Sequence, residues 1–326
     1  MRYSVYITRK IAQAGIDLLE HDCAVEMNPD DRVVTKAELL EKVRGKDGIL
    51  CLLTDTIDAD VIDAADKAKV FANCAAGFDN IDIVVATGRG ILVTNTPGVL
   101  TDTTAELAWA LVFAVSRRIV EADRFTRNGK FSGWSPTLLL GHDITGKTLG
   151  VVGAGRIGTA FAEKSRGFRM RVLYTDLKPN PDFEKRTGGT FVALDRLLQD
   201  ADILSLHVPL TPNTMHLIGK SELKRMKQTA ILVNTSRGQV VNEKELVEAL
   251  KHGEIAGAGL DVYEDEPRIN PELLKLDNVV LTPHIGSASV ETRTKMAIVA
   301  AENMLDALRG KTPTNLVNPE ALARRR

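Results

Sequence analysis

Three side chains in the second half of the chain have the types needed to hold an acid and to move a proton. Arg237 lies in Val233-Asn-Thr-Ser-Arg-Gly238, Glu266 in Gly259-Leu-Asp-Val-Tyr-Glu-Asp-Glu-Pro267, and His284 in Leu281-Thr-Pro-His-Ile-Gly-Ser287. An arginine fork can clamp a carboxylate bidentately and polarise the adjacent carbonyl. A histidine can give a proton to that carbonyl oxygen and take it back in the reverse direction. A carboxylate beside the histidine stabilises the imidazolium and fixes the ring. Singly, each residue reads more simply: Arg237 as a surface charge, Glu266 as a loop acid beside Asp265, His284 as a turn residue after a proline. Together they supply what hydride reduction of a 2-oxo acid requires.

A hydride needs a carrier, and the middle of the chain offers a place for one. Thr148 to Gly158 reads TLGVVGAGRIG, so Gly153, Gly155 and Gly158 form G-x-G-x-x-G after an apolar strand-like run and before a helix opening at Thr159. Such a turn lets backbone approach a pyrophosphate, and the helix N-terminus offers it unpaired N–H groups and a positive dipole end. A second strand, Arg171 to Asp176, ends in an acid 18 residues past Gly158, where a carboxylate would accept from an adenine ribose. Glycine turns alone are common. Strand, glycines, helix, strand and acid in register are not.

The elements that position these groups alternate between strand and helix nearly throughout, which argues for parallel sheets with crossover helices. Before the glycine turn, strands are expected at 3–8, 48–53, 71–75 and 91–93, and a helix from Thr35, which would cap it. Thr103-Thr-Ala-Glu106 has a capping-box pattern and should open a long helix through Val115. After the glycine turn, strands are expected at 201–207, 230–234, 256–261 and 278–282, giving a sheet of about six with the first two, and a helix at 242–250. A final helix, 291–308, follows. A dinucleotide fold of 101–288 leaves a flank on each side, so residues 1–100 and 289–326 are expected to form one discontinuous substrate domain, with the cofactor in the cleft between domains.

The composition excludes several classes. The 326 residues carry 42 Lys and Arg against 43 Asp and Glu, so a net charge of −1 gives no reason to expect nucleic acid or an acidic membrane. Arg324-Arg-Arg326 is too short to change this and reads as a solvated tail. No segment approaches the roughly 18 continuous apolar residues of a membrane span. The start runs straight into a strand with no signal-peptide core. Cys23, Cys51 and Cys74 form no C-x-x-C pair, and Cys51 in an apolar run reads as a buried thiol. A cytoplasmic enzyme without a metal fits all of this.

With these motifs in hand, the chain resembles the D-isomer-specific 2-hydroxyacid dehydrogenases over nearly its whole length. NTSRGQVVNEKELVEAL matches the segment of the family's catalytic arginine (Arg237), GLDVYEDEP that of its glutamate (Glu266) and TPHIGSAS that of its histidine (His284), and the spacings of 29 and 18 residues also match. The resemblance implies two α/β domains: a flavodoxin-like substrate domain and an inserted Rossmann domain with a parallel sheet. It also implies a homodimer joined largely through the nucleotide domains and the long helix after the hinge. It carries further residues. Ala76 and Gly77 match the loop whose amides hold the substrate carboxylate. Thr104 lies near the cofactor, Arg156 and Ile157 over the pyrophosphate, and Val208 and Pro209 on the adenine side. Thr235 and Asp261 match the nicotinamide end, and Gly286 follows the histidine there.

Asp176 followed by Leu177 implies NAD, since a carboxylate bonds both ribose hydroxyls and repels a 2′-phosphate, although Lys178 could tolerate NADP. Gly133-Trp-Ser-Pro-Thr-Leu-Leu-Leu-Gly141 resembles the glyoxylate and hydroxypyruvate reductase branch, which places a tryptophan, here Trp134, near the substrate pocket of its own or the neighbouring subunit. Ala76, where phosphite dehydrogenase has lysine, and Glu266, where formate dehydrogenase has glutamine, argue against those branches. Many phosphoglycerate dehydrogenases carry a further C-terminal domain, for which the chain leaves no room. D-lactate and D-3-phosphoglycerate dehydrogenase remain alternatives. A cofactor-sensing corepressor-like protein, which keeps the same fold and residues, is the reading from another class, without a recognition tail or basic run to support it.

Overall fold

The protein is described by a computed structural model covering residues 2–325; Met1 and Arg326, the last residue of the expected basic tail, lie outside the described residues. The chain divides into two compact units, Met1–Leu100 with Ser287–Arg326, and Thr101–Gly286. The return to the first unit falls two residues before the expected 289.

The first unit is built on five parallel strands, β1 (Tyr3–Ile7), β2 (Cys23–Met27), β3 (Gly48–Cys51), β4 (Val70–Asn73) and β5 (Leu92–Thr94), in the order β2-β1-β3-β4-β5. That order is the flavodoxin-like one. β3, β4 and β5 are buried along their whole length, as a parallel sheet covered on both faces requires. The helix Val290–Leu308 belongs here. It packs on the helix Gln13–Asp22, where a Cβ on Gly15 would lie 2.7 Å from the Ala297 carbonyl oxygen. Beyond it, the chain covers the edge strand: Val317 N–H donates to Val93 O, and the buried Asn318 accepts from Val93 N–H and donates to Ile91 O. Thr35 caps the helix Lys36–Lys42 with a full capping box. The sequence reading passed over β2 and the helix before it. Of the expected solvated tail, Arg324 is exposed, although its carbonyl lies against Gly90, and Arg325 is tied back by donating to the Gly310 and Lys311 carbonyls.

The second unit holds seven parallel strands: β6 (Thr148–Val152), β7 (Arg171–Thr175), β8 (Thr190–Phe191), β9 (Ile203–Leu206), β10 (Ile231–Asn234), β11 (Gly257–Leu260) and β12 (Val279–Leu281). Their order, β12-β11-β10-β9-β6-β7-β8, is the doubly wound dinucleotide arrangement with one strand added at the β12 edge. The short β8, which pairs with β7 through Leu173–Thr190 and Tyr174–Phe191, makes seven strands rather than six. Two helix starts also move. The long helix is Thr101–Ser116, so Thr103 lies in its first turn and the expected capping box does not form its boundary. The helix after the glycines is Arg156–Lys164 with Gly155 at its N-cap, three residues earlier than expected. An aromatic cluster locks these two helices together: Trp109 stacks on Phe161 at 4.8 Å and donates its indole N–H to the Phe161 carbonyl at 2.9 Å.

Among the described residues no helix is long and apolar enough to cross a membrane, and no group of His, Cys, Asp and Glu is arranged to hold a metal. The three cysteines are free and buried, and burial pushes the Cys74 thiol up to about 12.

Candidate active site

In the second unit β6 and β9 are neighbours, and the chain leaves their carboxyl ends in opposite directions. This is the switch point where a doubly wound sheet opens a crevice. The glycine turn occupies it. Gly153 has φ +97°, and a Cβ there would lie 2.7 Å from the His207 carbonyl oxygen after β9. A Cβ on Gly158 would lie 2.0 Å from the Gly153 carbonyl oxygen, so the helix can approach the turn only without one. Gly155 faces open space, and the first helical turn has no side-chain cap. Exposed Arg156 and half-buried Ile157 follow. Asp176 stands just past β7. One of its carboxylate oxygens accepts from Ala154 N–H at 2.8 Å and the other from Leu177 N–H at 2.7 Å, which ties it to the glycine turn. A dinucleotide therefore fits: a cradle that a Cβ would fill lies beside a positioned acid. At the far end, after β10, the buried Thr235 hydroxyl has no hydrogen-bond partner, a donor and acceptor free for a polar ligand group.

The loops after β10, β11 and β12 bring Arg237, Glu266 and His284 to the same sheet edge. His284 Nδ1 and Glu266 Oε2 are 2.8 Å apart. Because a carboxylate only accepts, Nδ1 carries the hydrogen, and Nε2 is left for other work. The other Glu266 oxygen accepts from Tyr263 N–H at 3.0 Å. Burial pushes the Glu266 carboxyl up, but the hydrogen bond and charge of His284, the Tyr263 amide and the Arg237 charge outweigh it and hold it below the ordinary glutamate range. His284 itself has φ +54°, a left-handed conformation uncommon outside glycine and one found at functional sites. The Arg237 loop is shaped by Asn234, which donates to the Arg237 carbonyl and accepts from Ser236 N–H.

Asp261, only 1% exposed, holds the His284 turn. It accepts from Thr282 Oγ1 at 2.6 Å, Ile285 N–H at 2.8 Å and Gly286 N–H at 2.7 Å. Its carboxylate is thus committed to this turn. Thr104 packs beside Gly286, where a Cβ would lie 3.4 Å from its methyl group. Val208 is half-buried and Pro209 exposed after β9. His207, on the same stretch, is no candidate for proton transfer: burial pushes it down to about 3, and its ring is bonded to Ser205 Oγ. Ala76 and Gly77 belong to the first unit, and Trp134 lies 86% exposed on the segment between the helix Ile119–Arg127 and β6. Sequence reading missed the roles of Asn234 and Thr282; each lies inside a quoted motif, but neither has a signal of its own.

Comparison with known proteins gives the family. The NAD-binding domain of the D-isomer specific 2-hydroxyacid dehydrogenases matches residues 109–286. The chain belongs to that family. It is 52% identical to a glyoxylate reductase of Korarchaeum cryptofilum, covering 99% of this chain and 98% of that one. Among solved structures, a protein from Thermus thermophilus superposes with a TM-score of 0.91 at 46% identity, over 96% of this chain and 99% of that one. An NADPH-dependent glyoxylate/hydroxypyruvate reductase from Sinorhizobium meliloti, in complex with NADP and malonate, superposes with 0.87 at 31% identity, over 100% and 99%. This chain is accordingly an oxidoreductase of the 2-hydroxyacid dehydrogenase family that uses a nicotinamide dinucleotide.

The depressed Glu266 carboxyl has a consequence for stability. Its folded pKa lies below its unfolded one, so its contribution is full above the ordinary value of about 4.3 and is lost as pH falls through the folded value. Glu266→Gln lacks this contribution. The difference in melting temperature between the wild type and Glu266→Gln should therefore be largest near neutral pH and shrink as pH drops below the ordinary carboxylate range. A difference constant from about pH 7 to about pH 3.5, followed by scanning fluorimetry, would show that the pair is not linked to folding.

Proposed function

We propose that the protein reduces a small 2-oxo acid, glyoxylate or hydroxypyruvate, to its 2-hydroxy acid with NADH. The observation that carries this reading is the 2.8 Å Glu266–His284 pair on the sheet edge that also bears Arg237. Gly153, Gly155 and Gly158 would hold the pyrophosphate of a nicotinamide dinucleotide, which would supply the hydride for the carbonyl carbon. Arg237 holds the substrate carboxylate and polarises the carbonyl. His284 gives its Nε2 proton to the carbonyl oxygen, so hydride and proton together make the alcohol, and Glu266 stabilises the imidazolium that precedes the transfer. Ala76 and Gly77 hold the carboxylate through their amides. In support, the backbone of this loop is fixed through its carbonyls, that of Ala76 accepting from Asn95 Nδ2 at 2.6 Å and that of Gly77 from Asn73 Nδ2 at 2.9 Å.

The choice of glyoxylate or hydroxypyruvate rests on the named relatives. A panel of 2-oxo acids with NADH, followed by nicotinamide absorbance, should show turnover with these two. His284→Ala should lose about 10²–10⁴-fold in kcat while still binding NADH. Turnover of none of the panel sinks the enzymatic reading and favours a cofactor-sensing binding protein.

NADH over NADPH is proposed from Asp176, whose carboxylate the glycine turn holds where it meets a ribose. The relative in complex with NADP makes this a pointed test. Wild type should favour NADH in kcat/KM, and Asp176→Ala should narrow that preference about tenfold or more by losing charge-assisted bonds to the ribose hydroxyls. Equal kcat/KM for the two cofactors in the wild type overturns it.

A homodimer is proposed from the helix Ile119–Arg127, which buries no residue of its own, and from the exposed Phe131, Trp134 and Leu140 that follow it. Such an apolar surface asks for a partner, and a second copy is the one proposed. Light scattering on the purified chain should give twice the chain mass of 35.5 kDa, and Trp134→Ala should raise the KM for the 2-oxo acid. A monomer at micromolar concentration removes the proposal.

A further inference from the structure

The loop that carries Glu266 is held from outside by a residue on a different element. Glu243 opens the helix Glu243–Lys251 and is only 9% exposed. One of its carboxylate oxygens accepts from Glu264 N–H at 3.1 Å and the other from Asn270 N–H at 3.2 Å. These amides lie on either side of Glu266, so one buried carboxylate fastens both ends of its loop. The fastening is reciprocal, because Glu264 Oε2 accepts from Glu243 N–H at 3.0 Å. His216 Nε2 lies 2.7 Å from the other Glu264 oxygen.

The same loop is pressed onto the loop of Arg237. A Cβ on Gly238 would lie 1.8 Å from the Tyr263 carbonyl carbon and 2.4 Å from the Glu264 nitrogen, so only glycine after Arg237 lets the two backbones meet. Gln239 Nε2 donates to the Glu264 carbonyl at 2.8 Å. From there the path to the chemistry is short: Tyr263 N–H holds one oxygen of Glu266, and the other meets His284.

We infer that Glu243 is a positioning residue for the reaction, acting through Glu266 by stapling both ends of its loop against the Arg237 loop. The inference rests on the proposed role of the Glu266–His284 pair. A neutral side chain cannot replace Glu243 fully: glutamine has one accepting oxygen, and its amide N–H group would face a second N–H donor. The effect of its loss should be a small displacement of Glu266, and displacements of about 1 Å at a reacting group cost on the order of 10–100-fold in rate.

A double-mutant cycle reads this directly. Glu243→Ala and Glu243→Gln are made in the wild type and in Glu266→Gln, and the full chain is assayed for single-turnover NADH oxidation by glyoxylate, NADH dissociation constant and melting temperature. In the wild-type background Glu243→Ala should slow turnover about tenfold with the NADH dissociation constant unchanged within about twofold, and Glu243→Gln should fall between. In the Glu266→Gln background the same change should cost less than about twofold, because the residue it positions is already gone. If Glu243→Ala does not fold, Glu243→Gln completes the cycle. Equal losses in both backgrounds, or a lowered melting temperature with turnover intact, overturn the positioning role while leaving the Glu266–His284 reading in place. Full turnover in Glu266→Gln removes that reading and the positioning role with it.

Discussion

The second unit is organised by side-chain carboxylates that accept main-chain N–H groups across loops. Asp176 binds the Ala154 and Leu177 amides, Asp261 those of Ile285 and Gly286, Glu243 those of Glu264 and Asn270, and Glu266 that of Tyr263. Each loop leaves the carboxyl end of a parallel strand, where the ladder stops and the next backbone donors have no strand to pair with. An ionised carboxylate offers two accepting oxygens and bonds roughly twice as strong as a neutral acceptor would make. One device thus serves two needs: it pairs orphaned amides, and it fixes the turns that carry the glycine cradle, Glu266 and His284.

Close backbone contact is the second constraint, and glycine marks it. Gly153 meets the His207 carbonyl, Gly158 meets Gly153, and Gly238 meets the Tyr263 peptide. The first two join the switch-point strands to the helix that opens toward the cofactor; the third joins the Arg237 and Glu266 loops. A Cβ at any of them would have to displace backbone rather than a flexible side chain, so they act as fixed spacers between loops that carboxylates then tie.

How much of this was legible in the sequence follows from the range of each interaction. The apolar runs of β3, β4, β9 and β10 are continuous and bounded by turns, and the Thr35 cap is local, so these could be read directly. The helix at Arg156 could not be bounded, because its start is set by Gly155 as N-cap and by the packing of Gly158, which depend on β6 and β9 together. β2 is too mixed and β8 too short to stand out; each is a strand because a neighbour pairs with it. Arg237, Glu266 and His284 were recognisable as a set because the side-chain types imply a chemistry. Glu243 was not, although it sits in a quoted motif. As the first helical acid it reads as a favourable charge at a helix N-terminus, and nothing local reveals that its carboxylate spans to residues 264 and 270.

Glu266 and Asp261 show why this architecture uses acids at all. Both sit on the loop after β11, yet their carboxyl groups are displaced in opposite directions. For Asp261, burial pushes the group up, and the donors of Thr282, Ile285 and Gly286 together with the His284 charge only partly oppose it. For Glu266, burial also pushes up, but a direct bond from His284 and the charge of Arg237 reverse the balance. The linkage signs follow. Glu266 loses its stabilisation as pH falls through its depressed folded value, whereas Asp261 increasingly disfavours folding as pH rises from the ordinary value toward its elevated one. Asparagine at 261 would avoid that desolvation, but it would set an amide N–H group against a turn that presents donors from Thr282, Ile285 and Gly286. The desolvated charge is therefore what it costs to hold a turn made of donors, and that turn is the one that fixes the backbone of His284.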